Sequence, residues 1–272
     1  MPPLLKWALS TLRRRPIPCP PLCFPVTGYD TVPANDILEE ERFPAFRKGE
    51  YYPVHIGDVF HKKYQVVGKL GFGGSSTVWF ARDLIQNKHA TLKIYTHEES
   101  STEEIQIYAH LQQTQNRSHP GYPHVRGRRS LFPAMWDSFR DLLYRNQTGQ
   151  FSEEVLRFGL MQVFLALDYL HTECRVHIHT DIKSDNILLA VEDDSVLDSF
   201  VKEEMEITSA RKLVDGVLPV YASRRFGMPA GARFGRAVLG DESQTHDEQQ
   251  QQTAGQSENQ MIDLTRTMDI SA

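Results

Sequence analysis

Two runs of β-branched and aromatic residues joined by a knot of glycines restrict this chain more than any other feature. Residues 64–82 read Tyr-Gln-Val-Val-Gly-Lys-Leu-Gly-Phe-Gly-Gly-Ser-Ser-Thr-Val-Trp-Phe-Ala-Arg. Val66, Val67, Val78 and Trp79 are strand formers on either side of a turn, which predicts an antiparallel hairpin. Gly71 and Gly73 carry no Cβ, so their backbone N–H groups can approach phosphate oxygens closely. A Gly-x-Gly pair alone also occurs in ordinary hairpins. The next run, Ala90-Thr-Leu-Lys-Ile94, is an apolar strand with a single charge, Lys93, and a buried lysine needs an anionic partner. Ile105, Tyr108, Ala109 and Leu111 then predict a helix on which Glu104, with Glu103 as its neighbour, could pair with Lys93. The competing reading is an ordinary surface ion pair.

Further on, Leu156, Leu160, Val163, Phe164, Leu167 and Leu170 fall at spacings of three and four, and Ser152 followed by Glu153 and Glu154 suits a helix start. The spacing predicts a long helix whose apolar stripe is core. Just beyond it, His179-Thr180-Asp181-Ile182-Lys183-Ser184-Asp185-Asn186 sets a carboxylate, an amine and an amide at the spacing of protein-kinase catalytic loops. In such a loop Asp181 takes the proton of an attacking hydroxyl, Lys183 neutralises the transferred phosphate and Asn186 holds magnesium. Metal binding by His177 and His179 is the competing reading, and no further ligand cluster at suitable spacing follows.

With both signatures placed, the chain resembles the SR-protein kinases, particularly their fungal relatives. The resemblance spans residues 30–240 and rests on Tyr51-Tyr-Pro-Val-His-Ile-Gly-Asp-Val-Phe60, Leu70-Gly-Phe-Gly-Gly-Ser-Ser-Thr-Val-Trp79, Phe164-Leu-Ala-Leu-Asp-Tyr-Leu-His-Thr-Glu-Cys174 and His179-Thr-Asp-Ile-Lys183. Thr180 stands where most kinases have arginine, so no cation is available there to pair with an activation-loop phosphate. The resemblance implies an α+β, two-lobed protein-kinase-like fold, with Mg and ATP as cofactors and Arg/Ser-rich proteins as partners and substrates. Leu70, Gly71, Gly73, Val78 and Lys93 would then bind ATP, Val78 against adenine, and Glu104 would position Lys93.

Three departures from that pattern predict an incomplete domain. Residues 117–133, where the family places two strands and the adenine hinge, carry Pro120, Pro123 and Pro133 and too few alternating apolar residues for two strands. Arg126, Arg128 and Arg129 in that interval read as a solvated loop. In the segment resembling the family's metal-binding Asp-Phe-Gly, Arg233 takes the Asp position, and its fixed charge would repel magnesium. The strand expected before it is replaced by Pro229-Ala-Gly-Ala. A different alignment would recruit Asp215. Finally, residues 241–260 are rich in Gln, Glu, Asp, Ser and Thr, a composition that predicts disorder, and the remaining residues are too few for the other helices of a large lobe. Two readings follow: a Ser/Thr kinase with impaired transfer, or a catalytically dead pseudokinase or truncated paralogue that binds nucleotide or protein.

The domain boundaries expected are a basic, proline-rich disordered leader at 1–30, an extension at 31–60, a shortened N-lobe at 61–134, a partial C-lobe at 135–240 and a disordered tail at 241–272. Within the C-lobe, residues 192–220 read as a surface spacer loop with a short helix over 196–206. A net charge of −5 offers no footprint for direct nucleic-acid binding. Three cysteines make no disulfide framework, and no apolar run is long enough to span a membrane. The resemblance implies cytoplasm and nucleus. Lys6 and Arg13 to Arg15, with no acid before Asp30, also resemble a mitochondrial transit peptide, although Pro16, Pro18, Pro20 and Pro21 end any helix early.

Overall fold

The computed structural model describes residues 18–97, 102–114, 116–125, 135–146, 148–176, 182–191, 193–216, 218–227 and 237–239. Asp181, Thr180, His177, His179, Arg126, Arg128, Arg129, Arg233 and the 241–272 tail lie outside them.

The glycine hairpin forms as its residue types require. A 3-10 turn (Glu39–Arg42) and a single helical turn, α1 (Pro44–Arg47), lead to β1 (Val59–Phe60), β2 (Tyr64–Phe72), β3 (Ser76–Asp83) and β4 (Lys88–Tyr95). These make one antiparallel sheet in the order β1-β2-β3-β4, with bulges in β2 between Val66 and Gly68 and between Lys69 and Gly71. Among the described residues the sheet ends at β4. After α2 (Thr102–Gln113), the described part of the proline-bearing interval makes a 3-10 turn at Tyr122–His124 and a single bridge residue at Val125.

The second half is built on α4 (Glu153–Thr172), which starts where Ser152 Oγ accepts from Val155 N at 3.3 Å. A three-stranded sheet, β5 (Met135–Ser138), β6 (Ile187–Ala190) and β9 (Ala237–Leu239), packs on it in the order β5-β6-β9, with α3 (Phe139–Arg145) following β5. The strand beside β6 comes from Ala237–Leu239, beyond Arg233 in sequence.

The predicted core stripe of α4 needs correction. Its buried face is Gly159, Gln162, Val163, Ala166, Tyr169 and Leu170, while Leu156, Leu160 and Phe164 point outward, Phe164 with 65% of its surface exposed. The helix is apolar on more than one side, and packing selected the side with the smallest residue: a Cβ at Gly159 would lie 2.2 Å from the Phe139 ring.

The segment at 192–220 is also not a surface loop. It supplies α5 (Asp194–Glu206) and the hairpin β7 (Arg211–Val214) with β8 (Leu218–Tyr221), and these lie on opposite faces of the four-stranded sheet. Phe200 from α5 is buried with Val67, Val78 and Phe80, while Tyr221 is buried with Val54, Val66 and Trp79. Asp215 sits at the β7–β8 turn with φ 51°, which leaves it in a hairpin tip. The residues from 18 onward, read by composition as leader, are tied in as well. Cys19 N donates to Leu84 O at 2.8 Å, and the Gln65 side chain exchanges two hydrogen bonds with the Leu22 backbone, at 2.8 and 2.7 Å. These bonds engage the backbone of the leader rather than its side chains, so its composition does not reveal them.

Candidate functional site

Antiparallel register brings three of the sequence-predicted residues into one row. Gly71 lies opposite Val78, and Val78 lies opposite Lys93, so all three share one face of the sheet. Leu70 joins Val78 in the same buried cluster. The turn between β2 and β3 is tightly held: Gly73 N donates to Ser76 O at 2.8 Å, and Thr96 N to Ser75 O at 2.8 Å. Tyr51 adds a clamp, its hydroxyl 2.6 Å from the Gly73 carbonyl and 3.0 Å from that of Gly74. Tyr51 belongs to a matching sequence run, but a tyrosine 22 residues away carries no local signal of this contact. Lys93 is half-buried, with its ammonium 4.9 Å from the centre of the Tyr95 ring. Glu104 lies in the first turn of α2, and its side chain is outside the described set.

The next row of the same face is closed. Gly68 pairs with Phe80 and Phe80 with Thr91, and a Cβ at Gly68 would lie 2.8 Å from Phe200 Cε1. Phe80, Phe200 and Phe226 meet edge to face or tilted, with centroids 5.0 to 5.3 Å apart. Leu70 and Val78 keep only 9% and 5% of their surface. They belong to one buried cluster with Val67 and Phe80 of the sheet, Val196, Leu197 and Phe200 of α5, and Phe226. In this arrangement Leu70 and Val78 are closed off from solvent.

A second group sits at the entrance to β6. Lys183 is half-buried, and Ser184–Asn186 forms a 3-10 turn closed by Asn186 N donating to Lys183 O at 2.9 Å. That turn carries Asn186 into full burial directly before Ile187. Asp185 turns away to Arg140, which donates to both its carboxylate oxygens at 3.3 and 3.1 Å. Gly71, Val78 and Lys93 thus belong to the four-stranded sheet, whereas Lys183 and Asn186 border the three-stranded one. Among the described residues, no group of three or more His, Cys, Asp or Glu side chains could hold a metal alone. Asn186 offers a single amide oxygen, a donor set that suits a magnesium ion arriving with phosphate oxygens.

A β-hairpin with a glycine tip, a lysine in register beside it, and an asparagine turn opening a second sheet define a protein kinase. Residues 64–202 match the family model described as protein kinase domain. The chain belongs to the protein kinase family. Its relatives place it with the SR-protein-kinase-like members. It is 37% identical over 250 residues to a serine/threonine protein kinase of Aspergillus fumigatus, covering 84% of this chain and 60% of that one. It is 34% identical over 186 residues to SRSF protein kinase 3 of Mus musculus, covering 58% and 31%. It is 30% identical over 167 residues to the serine/threonine-protein kinase SRPK of Physarum polycephalum, covering 56% and 39%. The chain thus spans at most 60% of the length of these relatives.

Proposed function

We propose that this chain is a Ser/Thr kinase module of the SR-protein-kinase type whose phosphoryl transfer, to serine in Arg/Ser-rich proteins, is impaired. The observation that carries the kinase reading is the single row of Gly71, Val78 and Lys93, a phosphate-approaching glycine, an apolar contact and a cation on one sheet face. Lys93 would neutralise phosphate charge, Glu104 would hold it, Asp181 would accept the proton of the serine hydroxyl, Lys183 would steady the transferred group, and Asn186 would ligate magnesium. Names of relatives such as SRSF protein kinase support the Arg/Ser-rich substrate class.

Impairment, and with it a pseudokinase that retains only binding, is favoured by two features. On the sequence alignment Arg233 takes the metal-binding position, although the strand that pairs with β6 lies beyond it and leads to Asp241, and α5 shares one buried cluster with Leu70 and Val78. The test mixes purified chain with labelled ATP, magnesium and an Arg-Ser peptide. The unaltered chain is expected to transfer no more phosphate than an Asp181→Asn control. Arg233→Asp should raise transfer about tenfold or more, since metal stabilisation of the charge is worth several kcal/mol. Transfer well above the control in the unaltered chain overturns impairment. In that event Asp241, the acid that follows the β9 strand in sequence, becomes the candidate ligand, and Asp241→Asn decides it.

A further inference from the structure

We propose that α5, with Phe226, is a built-in cap on the nucleotide face of the small sheet, and that α5 and the base of a nucleotide compete for Leu70 and Val78. This inference rests on the reading of that face as an ATP site and adds its regulation. The two occupants cannot coexist. Leu70 and Val78 retain 9% and 5% of their surface, and Phe200, itself 1% exposed, fills the space over Gly68 to within 2.8 Å of where a Cβ would stand. A ring lying against Val78 has to open the buried cluster to which Val196, Leu197, Phe200 and Phe226 contribute.

The cap is constructed as a separable unit. Its start is capped within itself, Asp193 Oδ1 accepting from Ser195 N at 2.9 Å. Its outer face carries Asp194, Lys202, Glu203 and Glu206, all exposed, so one side remains solvated when the other lets go, while Asp198 reaches back to His89 of β4 at 3.5 Å. At its far end the fastening is polar rather than apolar. Buried Glu204 accepts from Ser209 N and Ser209 Oγ, both at 2.7 Å, and meets Arg224 Nε at 3.1 Å. Arg224 also donates to the Ile207 carbonyl. A latch of directional bonds one helical turn beyond the aromatic plug, both lying over Gly68, is an arrangement in which the latch sets how often the plug leaves.

Amide hydrogen exchange across Asp194–Glu206 in the full chain, with and without saturating magnesium-ATP, tests the proposal, together with ATP titrations of the unaltered chain, Glu204→Gln and Phe200→Ala. ATP is expected to speed exchange across α5, and Glu204→Gln to lower the apparent Kd about tenfold, as expected when the binding-competent fraction rises. ATP binding with α5 exchange unchanged or slowed sinks the cap and leaves the ATP site standing. So does binding whose Kd Glu204→Gln does not move. Binding by a folded variant but not by the unaltered chain upholds the cap. Absence of ATP binding by the unaltered chain and by every variant that circular dichroism shows to be folded overturns cap and ATP site together. Should Phe200→Ala fail to fold, the exchange experiment on the unaltered chain and the Glu204→Gln titration still decide.

Discussion

At the scale of single residues, the most demanding side chain is Lys69, whose ammonium has no exposed surface. It lies 2.7 Å from Glu39, is also paired with Glu40, and donates to the Tyr221 carbonyl at 3.0 Å. Burial pushes the Glu40 carboxyl upward, and the Lys69 charge pulls it back. Glu39 in turn accepts from Ser223 N at 2.5 Å and Ser223 Oγ at 2.7 Å, so this one cluster ties the 3-10 turn, the glycine strand and the segment after β8 together. Lys69→Met would leave two carboxylates without their cation, an imbalance worth about 3–5 kcal/mol. Denaturant midpoints should show that loss, and Lys69→Met combined with Glu40→Gln should recover much of it. A single variant as stable as the parent would mean the cluster is solvated. The run Glu39-Glu40-Glu41 is plain in the sequence, but its partners lie about 30 and about 180 residues away, separations at which no local pattern points from one to the other.

At the scale of elements, α5 shows what periodicity can and cannot tell. The helix was legible from Val196, Leu197, Phe200 and Val201, because apolar residues three and four apart make one face. Where that face goes was not legible, since any apolar surface of suitable shape would do. The answer lies in Gly68, a residue with no local reason to be glycine except that Phe200 occupies its Cβ position. Gly68→Ala should cost about 1–3 kcal/mol by overpacking, and Phe200→Leu in the same chain should return part of it. Unfolding curves of the three chains check this, and equal stability of Gly68→Ala and parent would contradict the packing. α4 teaches the same lesson from the other side. Its helical period is correct, yet Phe139 and the tight approach of Gly121 to the Leu165 carbonyl select the face at Gly159, Ala166 and Tyr169.

At the scale of the whole molecule, the consequence is an apolar strip on α4. Phe158, Leu160, Met161 and Phe164 have 50%, 40%, 51% and 65% of their surface exposed. A contiguous patch of that kind drives association. Met161→Glu with Phe164→Glu should therefore reduce concentration-dependent light scattering of the purified chain while leaving its thermal midpoint within a few degrees, because surface substitutions away from packed features shift stability by about ±0.5 kcal/mol. A large fall in the midpoint would instead place these side chains in a packed interior.

Chemistry carried on consecutive residues was open to reading from the chain alone: the glycine hairpin, the lysine strand, the asparagine turn and the periods of α2, α4 and α5, all set by steric preferences within a few residues. Which faces meet was settled in three dimensions. Leu70 and Val78 meet α5 rather than open space, Lys69 finds acids from the 3-10 turn, and Ala237–Leu239 takes the place beside β6. Those outcomes depend on shape, burial and charge between segments far apart in sequence. Contacts of that kind acquire their energy only when water is excluded from both partners at once.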